Sequence, residues 1–216
     1  MGQVRNILFV MADQLRADYL SCYGHRTLAT PHLDALAARG VRYGRAYCQS
    51  PICGASRMSF YTGRYMFSHG ATYNNVPLSV AEPTIGDYLR ASGLRVALVG
   101  KTHMQADQAG MARLGIDAAS PTGVLLSQCG FEPYERDDGL YPASLFDPNL
   151  AYERYLRAKG YTGDNLWHDV ANSAQGPNGE ILSGWHMRHA RLPARVREED
   201  SETAYMTDRA IDFITE

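Results

Sequence analysis

The segment LRVALVG, residues 94–100, decides the fold class of this chain. It is a mainly apolar run with β-branched members, which is typical of a strand buried on both faces of a parallel sheet. The run passes directly into Lys101 and His103, with one threonine between them. Because ligands gather beyond the carboxyl ends of such strands, the segment predicts a strand that brings a cation and a proton carrier to a site.

A second apolar run, NILFVMA at residues 6–12, has the same organisation and ends at Asp13 and Gln14. It predicts a first buried strand. Strand ends in a parallel sheet lie along one edge, so we expect Asp13 to lie near Lys101 in the folded chain. A carboxylate in that position suits a metal ion, although many such residues only cap the following segment.

Helix signals alternate with these strands. The segment TPHLDALAARG (30–40) has a threonine N-cap, a proline at the first helical position and a closing glycine. Further helices are predicted from about Ser56, over residues 84–93, and from the N-cap Ser201 onward. Alternating strands and helices predict an α/β fold with a largely parallel sheet flanked by helices.

The composition excludes several function classes. The 216 residues are 45% hydrophobic and carry a formal net charge of −2, as in an ordinary soluble globular protein. There is no basic excess for nucleic acid and no polybasic or long apolar run for a membrane. No signal-peptide pattern follows the first apolar run, and the four cysteines form no CxxC pair. We therefore expect reduced thiols and a cytoplasmic location.

The stretch SPICGASRMSFYTGR (50–64) places a cysteine and an arginine at the start of a predicted helix. Unpaired backbone N–H groups at a helix start favour negative charge, and Arg57, one turn after Cys53, adds a fixed cation. The arrangement favours a charged nucleophile at position 53 and an oxyanion substrate beside it. A small buried thiol with a surface arginine is the structural alternative.

Other polar groups have weaker signals. Lys101 and His103, taken alone, are equally compatible with a solvated loop. His186 and His189 are three residues apart and have a spacing that two metal ligands on one helical face would have. Histidines at the surface or at the edge of the core are the commoner outcome for such a pair.

Taken together, these segments resemble a known family. NILFVMADQLRADYLSCYGH, TPHLDALAARGVRY, CGASR with the following YTGR, and VGKTH have the order and spacing of the type I sulfatases of the alkaline phosphatase superfamily. The resemblance is continuous over about residues 4–104 and returns in SETAYMTDRAIDFI (201–214). It implies an alkaline-phosphatase-like α/β core and a hydrolase of sulfate esters.

The resemblance implies that a maturation enzyme oxidises Cys53 to formylglycine, whose hydrated aldehyde attacks the sulfate ester. It also implies one divalent metal ion, calcium first and manganese as the alternative, with Asp13, Gln14 and the modified Cys53 as ligands. Gln14 stands where most sulfatases have a second aspartate. The metal site would therefore carry one negative charge less.

The remaining roles also come from the resemblance. Arg57 would hold the formylglycine, Lys101 would contact both nucleophile and sulfate, and His103 would remove the second proton of the hydrated aldehyde. Asn74, in YNNVPL, resembles a residue that binds the nonbridging oxygens in related phosphonate monoester hydrolases. The expected substrate is a small-molecule sulfate or phosphonate ester.

Two alternatives stay open at this point. Phosphonate monoester hydrolases share the MADQ-RAD opening and the N-x-VPL segment, but they usually carry Tyr-x-Thr where this chain has Lys101 and His103. That pair favours sulfate monoesters. The second alternative is a non-catalytic fragment or pseudoenzyme, because the C-terminal metal ligands of the family have no counterpart in the sequence. The sequence does not decide whether the chain is a monomer or a homo-oligomer.

We interpret residues 1–216 as the N-terminal part of a single sulfatase catalytic domain. In this interpretation residues 1–104 are the core with the nucleophile motif, 105–183 a loop-rich insertion, and 184–216 a return to the core that ends in a helix. Gly, Pro, Asp, Asn and Tyr are frequent in the middle part, which predicts long loops with short elements. Since a parallel fold continues from a helix into another strand, we expect a truncated chain.

Overall fold

The structure is a computed structural model that describes residues 5–138 and 149–216. Its α-helices are α1 (Pro31–Arg39), α2 (Cys53–Thr62), α3 (Met66–His69), α4 (Ile85–Ala91), α5 (Gln108–Arg113), α6 (Pro121–Leu126), α7 (Ala151–Ala158) and α8 (Glu202–Thr215). The strands are β1 (Ala97–Gly100), β2 (Glu132–Arg136), β3 (Ser173–Gln175) and β4 (Ile181–Ser183). Turns of 3-10 helix lie at Ala17–Tyr19, Ser21–Tyr23, Met187–His189 and Glu198–Asp200, and a π-helical turn lies at Trp167–Ala171.

The strands β1 and β2 pair in parallel, with Ala97 opposite Glu132 and Gly100 opposite Arg136. The connection between them contains α5 and α6, because a crossover between parallel strands needs a long segment. Helix α8 packs against both strands, and α6 packs against β2. The predicted strand within residues 94–100 and the predicted α/β fold with parallel pairing are confirmed. The strands β3 and β4 form a separate antiparallel pair.

Helix starts agree well with the capping signals. Helix α4 begins after Thr84, whose backbone N–H donates to the Asp87 carboxylate at 2.8 Å in a capping box. Helix α8 begins after Ser201, whose hydroxyl caps the first turn, so this predicted N-cap is confirmed. Helix α1 also begins as predicted, after Thr30. The Thr30 hydroxyl, however, accepts from the backbone N–H of Ser21 and not from the helix.

The prediction of a strand at residues 6–12 is wrong. These residues have no regular secondary structure. Within residues 5–138 and 149–216 no strand pairs with them, so their backbone groups lack the neighbour that a β-strand requires. Their apolar side chains are largely exposed: Ile7 70%, Leu8 68%, Phe9 58% and Val10 80%. The apolar pattern of a buried strand is therefore present without the partner that would bury it.

The helix predicted from about Ser56 begins three residues earlier, at Cys53. The Ser56 N–H donates to the carbonyl oxygen of Ile52 at 2.8 Å, and this is the first hydrogen bond of the helix. The hydroxyl of Ser50 accepts from the Ile52 N–H at 3.2 Å and steadies the extended entry. The residue after Cys53 is a glycine, whose weak helix propensity conceals the start in the sequence.

Two apolar clusters stabilise these elements. The first lies against α2 and contains Met58, Tyr61, Ala71, Leu78 and Cys129. The second joins α7 to α8 and contains Tyr152, Leu156, Leu166, Val170 and Tyr205. Full burial of one large apolar side chain contributes about 1.5–3 kcal/mol, so the first cluster holds α2 firmly in place.

The middle of the chain is more regular than its composition indicates. Residues 105–138 contain three short elements, α5, α6 and β2, and residues 149–183 contain α7, the π-helical turn, β3 and β4, in agreement with the prediction of short elements. Residues 139–148, predicted as loop, lie outside the described residues. The division into core, insertion and return stays a prediction. No helix of the described residues is long and apolar enough to cross a membrane.

Candidate active site

Cys53 is the first residue of α2, where a helix presents unpaired backbone N–H groups. The N-cap residue is Ile52, whose side chain has no acceptor atom. Instead, Asn74 accepts a hydrogen bond from the Gly54 N–H through its Oδ1 atom at 2.8 Å. This bond fixes the amide plane of Asn74 and leaves its Nδ2 group as the donor.

Gly54 is required by the close approach of two loops to the start of α2. A Cβ atom at this position would lie 2.9 Å from Asn74 Oδ1 and 3.5 Å from the carbonyl oxygen of His103. The first separation is too short for a carbon–oxygen contact in a close-packed interior. Asn74 and His103 therefore both lie beside the residue that follows Cys53.

Asp13 joins three distant segments of the chain. Lys101 donates through Nζ to Asp13 Oδ2 at 2.8 Å, and Arg57 Nη2 lies 3.4 Å from Asp13 Oδ1. Arg57, which is only 6% exposed, also donates to the carbonyl oxygen of Lys101 at 2.7 Å. The structure thus brings Asp13 and Lys101 together as expected and adds the helix that carries Cys53.

The two cations change the ionisation of Asp13. Partial burial, the largest single influence, would raise the pKa of this carboxyl group. The hydrogen bond from Lys101 and the charges of Lys101 and Arg57 act in the opposite direction and together outweigh it. The pKa of Asp13 is therefore lowered below its ordinary value of 3.8, and the group is a carboxylate at neutral pH.

His103 follows β1 in a left-handed backbone conformation with a φ of 52°. Its backbone N–H donates to Asp138 Oδ1 at 3.2 Å, which holds this costly conformation. Its ring atom Nδ1 is buried and has no hydrogen-bond partner among the described residues. Burial, followed by the charge of Lys101, lowers the pKa of His103 below 6.5. The imidazole is therefore neutral at pH 7 and able to accept a proton.

The expected metal ligands form an incomplete set. Gln14 is exposed, and both carboxylate oxygens of Asp13 are already in contact with cations. Within residues 5–138 and 149–216, no group of three His, Cys, Asp or Glu side chains is placed to hold a metal ion. Calcium takes about six to eight oxygen ligands, so Asp13, Gln14 and a modified Cys53 do not fit a complete calcium site by themselves.

Three carboxyl groups near the site were not predicted from the sequence. Asp137 and Asp138 follow β2 directly, and Glu202 lies in the first turn of α8. Burial, and then the charge of Asp137, raises the pKa of Glu202 to about 7, although Lys101 acts to lower it. The position of Asp137 and Asp138 directly after a strand could have indicated that they belong to the site. That strand, β2, is difficult to recognise in the sequence because it contains charged residues.

The histidine pair singled out in the sequence lies at the 3-10 turn Met187–His189. The rings of His186 and His189 contact each other edge to face, with centroids 5.5 Å apart. His189 Nδ1 is within 2.8 Å of the Ser183 carbonyl oxygen, so that ring nitrogen is in use. In the described part of the chain no third ligand completes a metal site with them.

Comparison with known proteins shows which family the chain resembles. The sequence profile of the family described as Sulfatase matches residues 5–180. The chain is 40% identical over 110 residues to steryl-sulfatase of Mus musculus, a match that covers 46% of this chain and 18% of that protein. It is 26% identical over 221 residues to the multifunctional alkaline phosphatase superfamily protein PehA of Trinickia caryophylli, covering 97% of this chain and 38% of that one.

The fold is shared with a solved structure. Phosphonate monoester hydrolase SpPMH from Silicibacter pomeroyi superposes with a TM-score of 0.72 at 29% identity, over 96% of this chain and 37% of that chain. This chain therefore spans only between 18% and 38% of the length of these relatives. The family profile nevertheless covers most of its residues, and the expected alkaline-phosphatase-like fold is confirmed. The chain belongs to the sulfatase family of the alkaline phosphatase superfamily.

Proposed function

We propose that this chain is the part of a sulfate monoester hydrolase that carries the nucleophile, with Cys53 as its precursor. The observation that carries the proposal is that Arg57 and Lys101 both contact Asp13. Arg57 lies on α2, the helix that begins with Cys53. Two fixed cations and a helix start are suited to a tetrahedral oxyanion. Similarity to a steryl-sulfatase favours sulfate as that oxyanion.

Lys101 and Arg57 have different tasks in this proposal. The side chain of Lys101 is 15% exposed, so its charge acts in a partly desolvated site and would stabilise charge on the sulfate oxygens. Arg57 is held by the Lys101 carbonyl oxygen and is therefore fixed in orientation. It would hold the oxygen nucleophile at position 53 in one rotamer. Asn74 would donate through Nδ2 to a nonbridging oxygen, because its Oδ1 atom is engaged by Gly54.

Formylglycine at position 53 is the finer part of the proposal. A maturation enzyme would supply the oxidant that converts the cysteine side chain to an aldehyde. The hydrated aldehyde supplies two hydroxyl groups, one for attack on sulfur and one whose deprotonation releases sulfate. His103 would accept that second proton, since its imidazole is neutral and has an unpartnered ring nitrogen.

A divalent metal ion is a further part of the proposal. Asp13 and Gln14 would contribute one carboxylate and one amide oxygen to Ca²⁺ or Mn²⁺. Because this set is too small for tight binding, further ligands would have to come from other residues.

Hydrolysis of phosphonate monoesters is the second candidate. It is favoured by the fold shared with phosphonate monoester hydrolase SpPMH and by the presence of Gln14 and Asn74. Lys101 and His103 favour the sulfate ester instead. Sulfate and phosphonate monoesters pass through transition states of similar shape, so activity toward both is expected, with the sulfate ester preferred.

The experiment compares an aryl sulfate with an aryl phosphonate monoester as substrates of a full-length version of the protein that contains this chain, co-expressed with a formylglycine-generating enzyme and assayed with added Ca²⁺ or Mn²⁺. We expect faster hydrolysis of the sulfate, and loss of turnover in Cys53→Ala. A preference for the phosphonate by orders of magnitude would select the second candidate. No hydrolysis of either ester, in a sample whose Cys53 is converted, would support the non-catalytic alternative.

A further inference from the structure

Ser59 and His69 form a buried polar pair that the proposed reaction does not use. Ser59 lies on α2 and His69 ends α3, and they are 6% and 4% exposed. Ser59 Oγ lies 2.9 Å from His69 Nε2 and donates to the carbonyl oxygen of Ala55 at 2.9 Å. A serine beside a histidine has the composition of a nucleophile with its base, so the direction of each hydrogen bond has to be determined.

The backbone determines where the proton of His69 lies. The Ala71 N–H donates to His69 Nδ1 at 3.1 Å, so Nδ1 carries no proton. Burial, followed by the smaller effect of the Arg64 charge, lowers the pKa of His69 and outweighs the opposing charge of Glu82, so the neutral ring is favoured. A neutral imidazole without a proton on Nδ1 carries it on Nε2 and donates it to Ser59.

The pair is therefore a directed relay and not an activated serine. His69 donates to Ser59, and Ser59 uses its one proton on the Ala55 carbonyl oxygen. Ala55 belongs to the first turn of α2, two residues after Cys53. The relay thus connects the end of α3 to the helix turn that carries the nucleophile position.

The segment that follows His69 contacts the same turn a second time. Ala71 is 1% exposed and belongs to the apolar cluster against α2. Asn74 then accepts from the Gly54 N–H. Residues 69–74 are consequently attached to α2 at both ends, by the hydrogen bond of His69 to Ser59 at one end and by that of Gly54 to Asn74 at the other.

We propose that Ser59 and His69 are positioning residues whose relay holds residues 69–74 against the first turn of α2. In this way they orient the Asn74 amide and position 53 relative to each other. The inference rests on the proposed function only in treating Asn74 and Cys53 as site residues. Its test requires no turnover, so the two ideas can fail separately.

The test is amide hydrogen exchange of Gly54, whose N–H is protected by Asn74. Ser59→Ala removes the middle of the relay. Thr62→Val is the matched control, because the Thr62 hydroxyl donates to the Met58 carbonyl oxygen at 2.7 Å on the same helix and is not bonded to His69. In Ser59→Ala we expect Gly54 to exchange about tenfold faster than in the wild type and in Thr62→Val.

The Leu156 amide in the second apolar cluster reports global stability in the same samples. Faster exchange of Gly54 with unchanged exchange of Leu156 supports the proposal. If both amides exchange faster by the same factor, the relay stabilises the whole fold and the proposal is wrong. If the exchange of Gly54 is unchanged, the relay does not hold residues 69–74 and the proposal is also wrong.

A second pair of variants tests the donor directly. His69→Gln keeps an N–H donor that reaches Ser59, whereas His69→Leu removes it. We expect His69→Gln to retain most of the protection of Gly54 and His69→Leu to lose it. The rate at which iodoacetamide alkylates Cys53 should differ between His69→Leu and the wild type. The rate for the exposed Cys48 should be the same in both. Identical behaviour of the two variants would contradict the proposal.

Discussion

Lys101 Nζ lies 2.8 Å from Asp13 Oδ2, although the two residues are 88 positions apart in the chain. The contact joins the end of β1 to the segment that follows the exposed run at residues 6–12. Arg57, from α2, reaches the other oxygen of the same carboxylate. The Asp13 carboxylate thus contacts two cations, Lys101 after β1 and Arg57 on the helix that carries Cys53.

Replacement of Asp13 by Asn should lower the free energy of unfolding by about 1–2 kcal/mol, because Arg57 and Lys101 lose their shared counter-charge. Asp18→Asn is the control, since Asp18 pairs with Arg16 at the surface and both side chains are mostly exposed. Urea unfolding followed by circular dichroism measures both. Equal midpoints for the two variants would show that the Asp13 contacts are not stabilising.

Glu202 makes stability depend on pH. Its pKa is raised from 4.5 to about 7 in the folded chain, so the folded state binds a proton more tightly than the unfolded state. Stability contributed by this group is therefore complete below pH 4.5 and falls as the pH rises to about 7.

Glu202→Gln should raise the free energy of unfolding by about 1–3 kcal/mol at pH 8 and leave it unchanged at pH 4. Glu198→Gln is the matched control, because Glu198 is exposed. Urea midpoints at the two pH values decide the prediction. A gain in Glu202→Gln that is equal at both pH values would refute the assigned ionisation.

Gly54→Ala should destabilise the chain by about 1–2 kcal/mol, because the added Cβ would lie 2.9 Å from Asn74 Oδ1 and displace that loop. Gly44→Ala is the control, since nothing lies within 4 Å of a Cβ at that position. Thermal unfolding and the exchange rate of the residue-54 amide report the effect. If neither the unfolding temperature nor the exchange rate changes in Gly54→Ala, the loop that carries Asn74 moves aside without cost and the prediction is wrong.

Asp200 should be essential for the second apolar cluster. It is fully buried and accepts hydrogen bonds from Tyr155, Tyr161 and Arg197 at 3.1, 3.0 and 2.9 Å. Asp200→Ala removes the shared acceptor of these donors and should lower the free energy of unfolding by about 1–3 kcal/mol. The neighbouring Glu199 is 68% exposed, and Glu199→Ala should leave the urea midpoint unchanged. A small loss in Asp200→Ala would contradict this account.

Local signals predicted the elements that depend on local chemistry. The proline at the start of α1 has no N–H that needs a partner, and the Ser201 hydroxyl accepts from the Ala204 N–H, so both helix starts depend on residues close in sequence and are predictable from it. The run at residues 6–12 failed as a strand because pairing depends on a neighbour, and apolar periodicity does not say whether one is present. The start of α2 was misplaced because its cap, Asn74, lies 20 residues away.

Most residues of the candidate site could be predicted from the sequence, but most of the contacts between them and their neighbours could not. Cys53, Arg57, Lys101 and His103 were found from their positions at element ends and from the family resemblance. The relay from His69 to Ser59 depends on the tertiary contact of α2 with α3, which no sequence spacing encodes. Asp138 was missed because it follows a strand whose charged residues hide it.

The central claim is that Cys53 is the precursor of an oxygen nucleophile. The most direct test is the mass of the tryptic peptide 46–57, taken from the chain after co-expression with a formylglycine-generating enzyme and fragmented to separate Cys53 from Cys48. An established sulfatase expressed in the same cells serves as the control for conversion. The account predicts that Cys53 has lost its sulfur and carries an aldehyde while Cys48 is intact. An intact thiol at Cys53, with the control sulfatase converted, would contradict it.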